Sequence, residues 1–129
     1  MPKEFQPLVK LLDKYFNFNL SRTKCLVQMV LCMIKSQTIN LANICHIMNS
    51  NCKASSNYKR LNRFVNEVLI PHRALAKLIV AIKGLDKERL WKLTMDRTNW
   101  KLGKIDINVL YLGVCCKNVA IPLFFLFRR

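Results

Sequence analysis

Apolar residues recur at helical spacing through the first two thirds of the chain and at strand spacing through the last third. Leu8, Leu11, Leu12, Tyr15 and Phe16 mark one face of a first helix, which Asn17 and Asn19 should end. Ser21 then suits the N-cap of a helix running to about Lys35, with Leu26, Val27, Val30, Leu31 and Ile34 spaced for burial. Thr38 suits the cap of a short helix carrying Leu41, Ile44, Ile47 and Met48. The stretch NSNCKASS, residues 49–56, reads as a loop by composition. From Ser56 the residues Leu61, Phe64, Val65 and Val68 predict a further helix. Pro71 fits the first turn of a last helix through Ala76, Leu78, Ile79 and Ile82, which Gly84 should stop.

After this point the period changes to two. Trp91, Leu93 and Met95 alternate with Lys92, Thr94 and Asp96, the pattern of a strand that delivers Asp96 to its end. KLGK, residues 101–104, contains Gly103 and reads as a turn; IDINVLYLGVCC, residues 105–116, as a strand. Lys117 and Asn118 make a second turn before a strand from Val119 to Phe127. Gly113 marks an expected bulge. The prediction is an α+β chain, helices first and then an antiparallel meander.

Charge changes the picture from a fold to a partner. The chain carries 22 Lys and Arg against 7 Asp and Glu, a net charge of +15 in 129 residues. An excess of that size points to a polyanion, and it is shared by both parts of the chain. In SSNYKRLNRF, residues 55–64, Lys59, Arg60 and Arg63 fall away from the apolar positions, so three cations are expected on one solvent face, with Lys53 just before them. This helix is the expected DNA-binding element. The segments 21–35 and 39–48 have helix-turn-helix spacing, but the second has no Lys or Arg and is not assigned as a recognition helix.

The segment LWKLTMDRTNW, residues 90–100, resembles the first catalytic segment of transposases of the insertion-sequence-4 type, and SSNYKRLNRF resembles their N-terminal region. The resemblance implies a helical DNA-binding region over residues 1–88, followed over residues 89–129 by the first antiparallel strands of a truncated ribonuclease-H-like domain. It implies that Asp96 is the first acid of a two-Asp, one-Glu triad that holds Mg²⁺ or Mn²⁺ for DNA strand cleavage and transfer. Arg97, next to it, is an expected DNA contact. One carboxylate does not make an octahedral metal shell, so this chain is expected to bind insertion-sequence ends without holding metal stably or cutting. The alternative is a stand-alone basic DNA-binding or regulatory protein that inhibits the full-length transposase, or pairs with it or with itself through an open strand edge.

Other classes fall away. No stretch reaches the roughly 18 to 20 apolar residues of a membrane span, and the start lacks the pattern of a signal peptide. A cytoplasmic, nucleoid-associated location is therefore expected. The six cysteines are expected as reduced thiols, since no C-x-x-C pair or second ligand pair stands at finger spacing around Cys45, His46 and Cys52. His46 and His72 are expected in structural positions. Trp91, Trp100, Phe124, Phe125 and Phe127 are expected in the core.

Overall fold

The computed structural model describes residues 5–48, 51–87 and 90–128. Contacts divide the chain between Ile70 and Pro71 into two compact units.

The first unit is helical: α1 (Gln6–Phe16), α2 (Leu20–Ser36), α3 (Leu41–Ile47) and α4 (Ala54–Glu67). Asn17, in the left-handed region at φ 48°, caps α1 by donating its backbone N–H to the Asp13 carbonyl at 3.2 Å. The next two caps differ from the expected ones. Asn19, not Ser21, caps α2, its Oδ1 accepting from the Arg22 N–H at 2.9 Å. Asn40, not Thr38, caps α3 by accepting from the Ala42 N–H at 2.9 Å, while Thr38 Oγ1 accepts from the Asn40 N–H at 3.2 Å. In both places a short amide side chain on extended backbone reaches the orphan N–H groups of the first turn and starts the helix where the apolar period begins. Helix α4 starts at Ala54, inside the expected loop, with Lys53 at its N-cap position; residues 49 and 50 of that loop lie outside the described residues.

Helix α2 packs on α1, α3 and α4, and α3 packs on α4. Val27, Ile44 and Leu61 are fully buried, one from each of the last three helices, and Phe16 and Phe64 are nearly so. The one buried amide side chain among the described residues of this unit is accounted for: Asn57 Nδ2 donates to the Cys45 carbonyl at 3.2 Å, satisfying a backbone acceptor that the end of α3 leaves open.

The second unit contains α5 (His72–Lys83), a 3₁₀ turn (Leu85–Lys87) and three strands, β1 (Leu93–Leu102), β2 (Ile105–Cys116) and β3 (Val119–Arg128). Gly84 closes α5 at φ 67°, as its position predicts. Helix α5, read from the sequence as the last element of the helical region, packs against β3. The sheet is an antiparallel meander in the order β1-β2-β3. Its core gathers Ala76 and Leu85 with Val114 and Leu123, flanked by Ile79, Val80, Cys116 and Ile121.

The expected bulge is at Gly113. Gly113 pairs with Pro122 and Leu112 with Phe124, so Leu123 is the extra residue of β3. A side chain at Gly113 would also meet the Ile121 carbonyl oxygen at 3.1 Å, which makes the close approach of β3 a second reason for glycine there.

Burial of the cysteines in the first unit is mostly complete. Burial pushes the Cys25 thiol above its ordinary value against the opposing field of Arg60, and pushes Cys32 up against that of Lys35. Both thiols are therefore held neutral, and the stability this gives is present below the ordinary thiol pKa and declines as pH rises through the raised value. Alkylation by iodoacetamide near neutral pH is expected to reach the exposed Cys52 first, with Cys25 and Cys32 at least about tenfold slower until the unit unfolds. Peptide mapping over a time course checks this; equal rates at the three thiols would contradict the burial.

Candidate nucleic-acid interface

Helix α4 carries the expected basic residues, and their burial separates them into two groups. Lys53, Lys59 and Arg63 are exposed, alongside exposed Ser55, Ser56, Asn62 and Asn66. On the helix Ser55, Lys59, Asn62 and Asn66 lie opposite the buried stripe of Asn57, Leu61 and Phe64, with Ser56 and Arg63 beside them, while Lys53 precedes the first turn. Arg60 departs from the expected common solvent face. It is half-buried and reaches across to α2, where its Nη1 donates to Gln28 Oε1 at 3.3 Å and its Nη2 to the Ser21 carbonyl at 3.4 Å. A position at the flank of the buried stripe, with a long stem and a planar fork, makes this reach natural for arginine. Arg63 sits 3.9 Å from Glu67 one turn on, with both side chains more than half exposed, a pairing of little energetic weight.

Between α2 and α4 lies a cavity of about 180 Å³, lined by Ser21, Arg22, Arg60, Arg63 and Glu67 with Cys25 and Phe64 among the apolar residues at its wall. Arg22 was not singled out by sequence. Its signal was available only in retrospect, because nothing in the primary structure states that the start of α2 faces the middle of α4.

In the second unit Asp96 is not at a strand end. Strand β1 runs on to Leu102, so the whole DRTNW segment is strand and the turn is set by Gly103, at φ 63°. The apolar alternation from Trp91 stops at Met95, but Thr98 and Trp100 are good strand formers and no breaker intervenes before Gly103. Asp96 stands opposite Tyr111 of β2, exposed, with its Oδ1 accepting the Arg97 backbone N–H at 2.7 Å. The Arg97 side chain turns to two amides instead: Nε donates to Asn99 Oδ1 at 3.2 Å and Nη2 to Asn108 Oδ1 at 2.8 Å. Arg97 and Arg128 line one open pocket of about 410 Å³ over Leu110 and Leu126.

For Mg²⁺ or Mn²⁺, the test is the donor set. Among the described residues no three of His, Cys, Asp and Glu gather at one place, at Asp96 or elsewhere. A single carboxylate such as Asp96 does not make the oxygen shell of a stable divalent-cation site.

The aromatic expectation is also corrected. Trp100 and Phe127 are each 63% exposed, and Trp91, Phe124 and Phe125 also keep substantial exposure. Phe125 and Phe127 stack with ring centroids 6.3 Å apart, and Trp91 Nε1 donates to the Leu85 carbonyl at 2.9 Å. In this unit burial is concentrated where α5 meets the sheet, and none of these five aromatic side chains belongs to that cluster, although Trp91 bonds to it at Leu85.

No protein-family model, curated protein or solved structure matches the chain. No single helix among the described residues is long and apolar enough to cross a membrane.

Proposed function

We propose that the chain is a DNA-binding protein of the insertion-sequence transposase type, and that its helical unit holds DNA through the outer face of α4. The observation that carries this reading is the composition of that face: Ser55, Lys59, Asn62, Arg63 and Asn66 are exposed together on a helix whose other side is anchored by Leu61 and Phe64. Amides, hydroxyls and cations are the groups that bond base edges and phosphates, whereas a merely solubilising face needs no amides. The 14 residues of α4 span about 21 Å, and a helix about 10–12 Å across fits the major groove. The supporting frame is suitable as well. The axes of α2 and α3 turn by 100° across a short join, within the range of helix-turn-helix pairs, and α4 packs on both.

The DRTNW segment supports the transposase type by resemblance, with Asp96 as the matching acid. The reading assigned to this chain is binding, not cutting. The open outer edge of β1 favours, as a second activity, pairing with another chain, whether the complete enzyme or a second copy.

Fluorescence anisotropy with duplexes carrying the DNA ends that flank the coding sequence, and with random duplexes, tests the proposal. Three contacts through the exposed Lys53, Lys59 and Arg63 would give a salt slope of about −2.7, a loss of about fortyfold in affinity between about 50 and 200 mM salt. Tighter binding to the flanking ends supports the transposase reading. Equal binding leaves only a basic DNA-binding protein, and no binding at low salt rejects both.

A further inference from the structure

The cavity between α2 and α4 is built for an anion. Its lining brings together three guanidinium groups, Arg22 from the first turn of α2 and Arg60 and Arg63 from α4, against one carboxylate, Glu67. The carboxylate compensates weakly: its contact to Arg63 is 3.9 Å long and solvated. Arg60 is held in place by two neutral acceptors, Gln28 Oε1 and the Ser21 carbonyl, at 3.3 and 3.4 Å. These bonds orient the fork without neutralising it. Phe64 and the buried Cys25 present an apolar wall, where a charge-assisted hydrogen bond is less screened than at an open surface.

We propose that this cavity is a phosphate site that clamps one backbone phosphodiester of bound DNA, with Arg22 and Arg63 closing on the oxygens and Arg60 as the oriented fork at its side. The inference rests on the reading of α4 as the DNA-facing helix and adds to it a residue of α2, Arg22, and a defined ligand group. Several features select a phosphodiester over a small carboxylate. The cavity adjoins the outer face of α4, the chain as a whole is suited to a polyanion, and arginine forks match the tetrahedral oxygens of phosphate. The same geometry assigns Glu67 an opposing role. As an anion at the rim, it weakens the site it helps to form.

The test uses the full chain and a fluorescein-labelled duplex, titrated between about 50 and 200 mM salt. Because Arg22 and Arg63 are exposed, the double variant Arg22→Gln with Arg63→Gln is expected to keep its helical circular dichroism. It should bind about tenfold more weakly, with a salt slope shallower by about 0.9 for the phosphate lost. Glu67→Gln should do the reverse and bind about twofold more tightly. A double variant of equal charge change placed elsewhere, Lys104→Gln with Lys117→Gln, should leave affinity and slope within about twofold. Binding unchanged in the arginine variant overturns the phosphate site while leaving the α4 reading intact. So does an equal loss in the lysine control, which would show only a diffuse field. Failure of the unmodified chain to bind the duplex rejects the α4 reading and the site with it.

Discussion

Replacing Leu61 by Ala is expected to remove about 3 kcal/mol from the stability of the helical unit. Leu61 is fully buried in the middle of α4, which packs on both α2 and α3, so the void would open where three helices converge. Truncation of leucine in such a place loses both the transfer energy of the removed carbons and the contacts of their neighbours, because packed helices close only partly around the gap. For a unit of this size a total stability of about 4–10 kcal/mol is ordinary, so the change takes a third or more of it. Urea denaturation followed by hydrogen exchange at the amides of Val27 and Ile44 would show it. Val65→Ala, on the same helix but 56% exposed, serves as the comparison and should stay within about 0.5 kcal/mol. A loss below about 1 kcal/mol for Leu61→Ala would mean that the three helices do not share a packed core. Under the DNA-binding reading proposed for α4, the affinity of the folded fraction should be unaffected, since Leu61 faces away from the outer surface of that helix.

The second large effect is expected at Gly113. Valine favours strands, a preference worth up to about 1 kcal/mol, so propensity alone would make Gly113→Val stabilising. The contacts reverse the sign. A Cβ would meet the Ile121 carbonyl oxygen at 3.1 Å and Thr94 Cγ2 at 3.4 Å, and the first of these is backbone that cannot swing aside. Overpacking of this kind costs about 1–3 kcal/mol, and valine adds two methyl groups beyond the Cβ. Net destabilisation of about 1–2 kcal/mol is therefore expected in the sheet unit, read as faster hydrogen exchange at Val114 and Cys115. Unchanged or slower exchange would show that β3 can move away from β2 at the bulge, and that the glycine is not required by close approach.

The elements themselves were legible in the sequence because the apolar period is unambiguous in each: 3.6 residues up to Ile82 and two from Trp91 onward. Turn glycines were legible for the same local reason, Gly84 and Gly103 both taking positive φ at the positions their neighbours imply. The caps were less so. Ser21 and Asn19, or Thr38 and Asn40, are equally good capping residues on paper, and only the point at which the backbone leaves extended geometry decides between them. The full length of β1 is hidden in the sequence because a run of Asp, Arg, Thr and Asn looks like a turn, although Asp96, Arg97 and Asn99 take exposed strand positions and Thr98 a half-buried one. The α4 cations are legible from their charge together with their spacing away from the apolar positions. Arg22 and the reach of Arg60 to α2 depend on how two helices pack, and no local spacing contains that information.

The bulge has a consequence for how β3 uses its residues. Gly113 with Pro122 and Leu112 with Phe124 are consecutive rungs of the ladder, so a chain lacking Leu123 would keep each cross-strand partner recorded for β2. Leu123 is thus surplus to strand pairing, yet it is only 4% exposed and belongs to the cluster with Ala76, Leu85 and Val114. Its place in the chain answers to the helix rather than to the neighbouring strand. The strand spends one residue out of phase to deliver a side chain to α5, and from Phe124 to Arg128 the pairing with β2 continues in the shifted register.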